Sequence, residues 1–374
     1  MRLAKQLAVD LVFVAPDDPL VLGMVDAMQA AGFATFGPNQ AAAIIEGSKA
    51  FSKELMKKYH IPTAKYEIFH DADAAIAYIK QENQFPTVIK ADGLALGKGV
   101  IIAANLEEAE QAVKSMMEDK MFGESGSTVV VEEFLTGPEV SVLSFTRRVK
   151  PLFRWCPRWI TKRALDQDKG LNTGGMGTVA RTRIYKEIAD TCMETIFLPT
   201  IRAMQAEGRP FQGCLYFGLM LTPNGPKVIE YNCRFGDPET QVVLPLLETD
   251  LVDIMRAISE QKLAELPVVW KNGCAACVVM ASGGYPKKYE TGLAISGLDD
   301  GGQVAGCTVY HAGTKLAEDG QQLLTAGGRV LGVTATAENL PTALEKAYAG
   351  VAKIHWENVH YRHDIGQRAL QALQ

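Results

Sequence analysis

Short apolar runs alternate along the chain with stretches whose apolar positions recur every three to four residues. Residues 9–14 (VDLVFV) are an apolar run rich in β-branched side chains that stops at Pro16. Leu20–Gly32 carries apolar positions at helical spacing and ends on glycine, and Ala34–Phe36 is a second run closed by Gly37-Pro38. This strand–helix–strand rhythm predicts part of a parallel α/β sheet. A helix is expected over Lys53–His60, stopped before Pro62. Strands are expected at Thr87–Lys90 and Val100–Ala103, flanking a Gly93–Gly99 loop. Leu106–Met117 reads as a helix with acidic residues in its first turn. Strands follow at Val129–Glu133 and Val140–Phe145, and a helix at 187–207. The strands Leu215–Leu221 and Lys227–Tyr231 are joined by Thr-Pro-Asn-Gly-Pro, a hairpin connection. Leu244–Glu260 is mostly helical. After Pro267 the texture changes to a strand at 274–282, short strands with Gly-rich turns through 335, and a helix at 340–354. The pattern places the last domain boundary near 262–268.

Composition narrows the function. The chain has 374 residues, 47% hydrophobic and 22% charged, which is a globular balance that excludes bulk disorder. Lys plus Arg is 38 against 43 Asp plus Glu, a net charge of −5, which argues against a general electrostatic grip on nucleic acid. An anionic ligand must therefore be held by a local cluster. No stretch approaches the apolar length of a membrane helix, and Met1–Leu11 does not read as a secretory signal. Cys274 and Cys277 form a lone CxxC without the second pair a zinc site needs, so buried thiols in a reducing, cytoplasmic compartment are expected.

Four strings carry candidate chemistry. In Val88–Val100 (VIKADGLALGKGV) a strand ends on Lys90, and a loop with three glycines and Lys98 follows, as a phosphate cover requires; Gly97 and Gly99 let backbone amides approach oxygen atoms. It is not a Walker loop, because Gly follows the GK pair. A solvated hairpin is the plainer reading. In the second string, Glu132, Glu133, Phe134 and Leu135, with Glu139 behind, suit a ribose and an adenine ring, or else an acidic strand end over a core Phe. In the third, Gly170–Gly177 (GLNTGGMG), four glycines in eight residues exclude a helix or regular strand and predict a loop with free amides, or a plain long turn. In the fourth, Lys227–Thr240, Glu230 and Asn232 fall on one face of a strand, a donor pair suited to Mg²⁺ or Mn²⁺ that keeps phosphate oxygens as its other ligands. Arg234 continues that face and suits a carboxylate or a transferring phosphoryl group. Asp237 and Glu239 follow in a Pro-bent loop with Pro238 and Thr240, placed for an amine. So charged a strand is hard to bury without a ligand.

In order and spacing, GSKAF (Gly47–Phe51), VIKADGLALGKGV, VEEFL, NTGGMG and VIEYNCRFGDPETQ resemble the ATP-grasp fold, and more narrowly the glycinamide ribonucleotide synthetase family. MASGGYP (Met280–Pro286), YHAGTK (Tyr310–Lys315), GGRVL (Gly327–Leu331) and YRHDIG (Tyr361–Gly366) agree, so the resemblance covers nearly the whole chain. It implies an α/β multi-domain fold: an N-terminal parallel α/β remnant (1–40), an ATP-grasp core (41–265) with a mobile lid near 61–125, and a small mixed C-terminal domain (266–374). It further implies ATP-dependent joining of glycine to 5-phosphoribosylamine through a glycyl phosphate, with Mg²⁺ or Mn²⁺. No nucleic-acid or membrane partner is implied, and the chain is expected to be a monomer. Lys98 and Arg234 take catalytic roles. Lys53, Lys90, Gly97, Lys98, Gly99, Glu132, Glu133, Phe134, Leu135 and Glu139 face ATP. Asn172, Thr173, Gly174, Gly175, Met176, Asp237, Pro238, Glu239 and Thr240 face the substrates, and Glu230 and Asn232 hold the metal.

Two departures from the family pattern stand out. The family's opening strand and Gly-rich loop have no counterpart before Met1, so an exposed apolar sheet edge is expected. Arg147–Thr161 (RRVKPLFRWCPRWIT) replaces a milder family stretch ending in Asp-His-Lys-Arg. Trp159–Lys162 read one nucleotide earlier forces an Asp codon and permits His and Lys, and Arg181–Ile184 similarly permits Pro-Asn-Pro-Tyr. A pair of local frame changes, also touching 181–186, is our hypothesis for these segments. Resequencing that finds the frame intact would overturn it in favour of a genuine basic, aromatic insertion.

Overall fold

Glycine breaks the first predicted helix in two. In the computed structural model, which describes residues 1–94, 99–147, 150–152, 158–180 and 188–371, a short α1 (Arg2–Gln6) leads into β1 (Leu11–Phe13). The stretch expected as one helix over Leu20–Gly32 is α2 (Asp17–Val21) and α3 (Met24–Ala30). Gly23 separates them with φ +86°, a left-handed conformation that only glycine takes without steric cost. β2 (Ala34–Phe36) then pairs parallel with β1, Leu11 opposite Ala34, as the strand–helix–strand rhythm predicted. α4 (Gln40–Gly47) is capped by the Asn39 side chain, and α5 (Lys49–Lys58) by Ser48, whose hydroxyl accepts from the Phe51 amide at 3.0 Å.

The next segment is a small layered structure. β3 (Tyr66–Phe69), α6 (Ala72–Glu82), β4 (Thr87–Ala91), β5 (Val100–Ala103), α7 (Leu106–Met117) and β6 (Val129–Glu133) follow in order. Their sheet is antiparallel, ordered β3-β6-β4-β5. The two helices cover one face, burying Ile76, Ile79, Ile89, Val113, Met116 and Val131. Because strand side chains alternate, Lys90 and Glu132 are turned to the opposite face.

β7 (Glu139–Arg147), β8 (Lys150–Leu152), β9 (Arg158–Leu165) and β10 (Lys169–Ala180) come next. Here the expectation of a Gly170–Gly177 loop is corrected, because the whole string lies in β10. The glycines enter a strand through irregularity: the register against β9 shifts between Lys169 and Asn172 and again between Asn172 and Gly177. α8 (Ala189–Cys192), a single π-helical turn (Met193–Phe197) and α9 (Leu198–Ala206) precede the hairpin of β11 (Gln212–Thr222) and β12 (Gly225–Asn232). The rest is α10 (Thr240–Val243), α11 (Leu251–Ser259), β13 (Cys274–Ala281), β14 (Thr308–His311), β15 (Thr314–Leu316), β16 (Leu323–Thr325), β17 (Arg329–Ala337), α12 (Leu340–Val351) and α13 (Gln367–Gln371).

These elements form two units. The first comprises Met1–Trp155, Ile188–Phe235 and Asp250–Val268, and the second Cys156–Glu187, Gly236–Thr249 and Val269–Gln374. In the first, β11 pairs antiparallel with both β12 and β7. In the second, β10 lies between β9 and β13, and β17 between β13 and β14, all antiparallel. α12 closes its core over Val278, Leu331 and Val333. The CxxC lies on β13, where Cys277 is buried as expected, its thiol pushed up to about 12 by burial, but Cys274 is only half-buried. Among the described residues no helix is long and apolar enough to cross a membrane. Residues 148–149 and 153–157 of the Arg147–Thr161 segment, and all of 181–186, lie outside the described residues.

Candidate active site

In the first unit two lysines share one buried carboxylate. Lys53 on α5 and Lys90 on β4 both approach Glu132 on β6: Lys53 Nζ is 3.0 Å from Oε2 and Lys90 Nζ 3.0 Å from Oε1. The three side chains are only 2%, 5% and 4% exposed, so the pairs are shielded from solvent. Lys53 Nζ also donates to Thr63 Oγ1 (2.8 Å), and that hydroxyl donates to the Val228 carbonyl (2.8 Å). Lys90 Nζ donates to the Ile229 carbonyl at 3.0 Å. The Lys90 contact to Glu132 is an ion pair without hydrogen-bond alignment, leaving Oε1 otherwise unpartnered. Burial pushes the Lys53 ammonium down to about 8, a fall that Glu132 only partly offsets. Glu132, expected to meet a ribose, is thus turned inward to hold the two cations. Glu133 faces the other way. It takes Lys227 Nζ (2.8 Å) and the Lys65 amide (2.9 Å). Burial pushes its carboxyl up, but these two partners bring it below the usual range. Phe134 after it is exposed and Leu135 half-buried. Glu139 opens β7, opposite Met220.

A second polar group lies at the end of β12. The ladder to β11 pairs Leu219 with Val228 but Gly218 with Glu230, so Ile229 is an extra, bulged residue. The bulge puts Glu230 and Asn232 on the face opposite the buried Val228 and Tyr231, both half-open. Asn232 Oδ1 accepts from Arg234 Nη2 at 3.3 Å, and the same nitrogen reaches Glu46 Oε1 at 3.0 Å. Glu46 is buried, and its other oxygen accepts the Cys233 amide at 2.7 Å. Burial pushes its carboxyl up, against the pull of Arg234. Lys49 was not singled out from the sequence, although it lies in GSKAF. Its Nζ donates to the Gly93 carbonyl at 2.7 Å. Burial lowers its pKa, against the attraction of Glu230 and with the repulsion of Lys90. Asp92 joins them, accepting from Ser48 Oγ and the Ala50 amide at the start of α5. Among the described residues, no three His, Cys, Asp or Glu side chains could together hold a metal ion. Gly97 and Lys98 lie outside the described residues. Gly99 is placed by its carbonyl, which accepts the Ala91 amide.

In the second unit the NTGGMG strand and the Asp237 loop meet through Arg329, a residue the sequence offered only within GGRVL. Arg329 Nη1 donates to the carbonyls of Gly174 (3.1 Å) and Asp237 (2.9 Å), and Nη2 pairs with Asp237 Oδ2 at 2.9 Å. Thr173 Oγ1 accepts the Gly175 amide and donates to the Lys162 carbonyl. Gly175 has φ +121°, and a Cβ there would lie 2.5 Å from Pro238 Cδ, so only glycine allows this approach. Asn172 is exposed, Met176 fully buried and Glu239 3% exposed. Thr240 Oγ1 donates to the Gly236 carbonyl.

Residues 1–46, 47–240 and 275–368 match, in turn, the N domain, the ATP-grasp (A) domain and the C domain of phosphoribosylglycinamide synthetase. The chain belongs to the phosphoribosylglycinamide synthetase family. It is 46% identical over 375 residues to the phosphoribosylamine–glycine ligase of Vibrio vulnificus strain CMCP6, covering 99% of this chain and 86% of that protein. The crystal structure of phosphoribosylamine–glycine ligase from Thermotoga maritima superposes with a TM-score of 0.80 at 34% identity, over 88% of this chain and 81% of that one. A biotin carboxylase from Campylobacter jejuni, solved as a beta-gamma-ATP complex, shares the fold with a TM-score of 0.74 at 16% identity, over 96% of this chain and 78% of that one. Members of the phosphoribosylglycinamide synthetase family thus share the ATP-grasp scaffold that carries Lys53, Lys90 and Glu132 here.

Proposed function

We propose that this chain joins glycine to 5-phospho-β-D-ribosylamine at the expense of ATP, giving glycinamide ribonucleotide, ADP and phosphate in purine biosynthesis. The observation that carries the reading is the three-part family match along nearly the whole chain. A glycine carboxylate oxygen attacks the γ-phosphorus and ADP leaves, giving glycyl phosphate. The amine nitrogen of the sugar then attacks the carbonyl carbon, phosphate leaves, and the nitrogen loses a proton. Charge develops on phosphoryl oxygens, so positioned cations supply the catalysis. In the first unit Lys49, Lys53 and Lys90 are such cations, with Glu132 fixing the last two, and Lys98 joins them. Arg234 stabilises the transferring group. Glu133–Leu135 and Glu139 serve the nucleoside. Glu230 and Asn232 are the hard oxygen donors that fit Mg²⁺ or Mn²⁺, which when bound neutralises phosphate charge. In the second unit Asn172–Met176 and Asp237–Thr240 serve glycine and the sugar amine.

The test is ADP release in Mg²⁺ with glycine and freshly generated phosphoribosylamine, omitting each in turn. Release that requires both substrates is expected. ATP binding without release under the full set of substrates overturns the reading.

The buried Lys53 gives the nucleotide step a pH signature. Its folded pKa, about 8, lies below the ordinary lysine value, so between the two the unfolded chain binds more protons and stability rises with pH. ATP phosphates favour the charged form. Binding is therefore expected to take up a proton at pH 9 but hardly any at pH 7, and affinity is expected to fall as pH rises through about 8. Calorimetry in buffers of different ionisation enthalpy measures the uptake. Equal enthalpies across buffers at pH 9 would remove Lys53 from the phosphate site.

A further inference from the structure

The turn between β9 and β10 holds an unusual conformation and an unusual anchor. Gln167 (φ +59°) and Asp168 (φ +53°) are consecutive non-glycine residues in the left-handed region. Each carries backbone strain and persists only where the surroundings impose it. The surroundings are the segment after α12. Arg362 is 2% exposed and uses most of its fork: Nε and Nη2 take both oxygens of Asp364 at 2.7 Å, and Nη1 takes Asp168 Oδ1 at 2.9 Å and the Arg163 carbonyl at 3.0 Å. Asp364 Oδ2 in turn accepts the Gln167 amide at 2.7 Å. Asp166 accepts the His363 amide at 2.8 Å and meets His363 Nδ1 at 3.0 Å. His360 Nε2 contacts the Ala164 carbonyl at 2.7 Å, and Arg368 pairs with Asp168.

This anchor stands just before the part of β10 whose register against β9 is irregular. Between Asn172, paired with Arg163, and Gly177, paired with Thr161, the register with β9 slips, so residues 173–176 form the irregular part of the strand. Direct ties here are the Lys162 carbonyl to Thr173, and Arg329 and the Tyr285 hydroxyl to Gly174; upstream, the Arg362 fork fixes the turn from which the strand departs.

We propose that Arg362, with Asp168 and Asp364, is a positioning device for residues 172–176, acting on substrate binding and not on ATP. The proposal deepens the reading above and rests on it for the identity of the bound molecules. A bidentate buried guanidinium suits the task, because it fixes direction as well as distance. It touches no substrate itself. Removing one carboxylate frees the turn to relax and shifts the backbone that follows.

The test uses the full chain with Asp168→Asn, and Asp168→Gly as a second variant that relieves the left-handed strain while removing the same ion pair. Gln167→Gly, which relieves strain and keeps the fork, is the control. Two readouts are taken. Amide hydrogen exchange at 172–176 is expected to quicken in both Asp168 variants, with α12 amides unchanged and the control like the parent. KM for glycine or the sugar amine is expected to rise about tenfold or more, because contacts that bind substrate and transition state equally are loosened. ATP affinity and kcat are expected to stay near the parent values. Unchanged exchange at 172–176 overturns the proposal even if the chain proves inactive. Quickened exchange with unchanged KM values shows a merely structural tie and overturns it too. Absence of ADP release by the parent chain counts against the catalytic reading alone.

Discussion

Replacing Glu132 by alanine is expected to lower the unfolding free energy by about 3–5 kcal/mol, the cost of removing one partner from a buried ion pair. The loss is large because two cations depend on the one carboxylate. Lys53 and Lys90 are almost fully buried, and without Glu132 their remaining partners are the Thr63 hydroxyl and the Ile229 carbonyl. Lys53 Nζ also lies 5.5 Å from the centre of the Tyr66 ring, but none of these groups carries a full negative charge. The lysines would shed protons, move toward solvent or admit water, and each route draws on stability. Glu132→Gln keeps the volume and one acceptor oxygen, so it separates charge from packing. It is expected to lose most of the same energy, with a smaller further loss in alanine. Urea unfolding followed by fluorescence gives both values. A shift of less than about 1 kcal/mol in Glu132→Ala would mean that solvent already screens the cluster, as it does surface pairs.

Glu230→Gln is expected to abolish turnover while leaving the fold intact. The change removes charge but little volume, and Glu230 is half-open on the bulged face of β12. If that carboxylate holds the cation, kcat falls by about 10³-fold, the scale on which one well-placed charge acts in phosphoryl transfer. The midpoint of thermal unfolding should stay within a few degrees, since a surface-facing substitution alters stability by only about 0.5 kcal/mol. Turnover near the parental rate at ordinary Mg²⁺ would show that Glu230 is not a ligand. Raised Mn²⁺ that partly restores the rate would support the assignment, because a weakened site is refilled by mass action.

Much of the scaffold was legible because its signals are local. The helix expected over Leu106–Met117 forms with those bounds. Asn105 caps it, its Oδ1 accepting the Glu108 amide at 3.0 Å, and Glu108 reaches back to the Ala104 amide at 2.9 Å, a reciprocal pair written within five residues. The strand Val129–Glu133 was equally plain from its β-branched run. Gly170–Gly177 was misread because glycine content was weighed without the neighbouring strands, whose pairing carries the string into β10 despite its irregularities. The candidate site was legible in part. Lys53, Lys90 and Glu132 were picked as separate ligand contacts, but nothing in their spacing says that they join. Lys49, Glu46, Arg329 and Arg362 were passed over, although three of them sit inside the strings that carried the family resemblance. Their partners, Glu230, Arg234, Asp237 and Asp168, lie far away in sequence.

By itself, then, the sequence determined the elements, their order and the family, since periodicity, caps and motif strings act over a few residues. The tertiary structure alone decided which way the key side chains point. Simple alternation from the buried Pro226 and Val228 would send Glu230 and Asn232 into the core. The bulge at Ile229 reverses that choice, and it exists only because β12 is registered against β11 on both sides of it. The same bulged residue offers its carbonyl to Lys90. One extra residue in a ladder thus separates a buried face from a chemical one, and strand register is a property of two strands together.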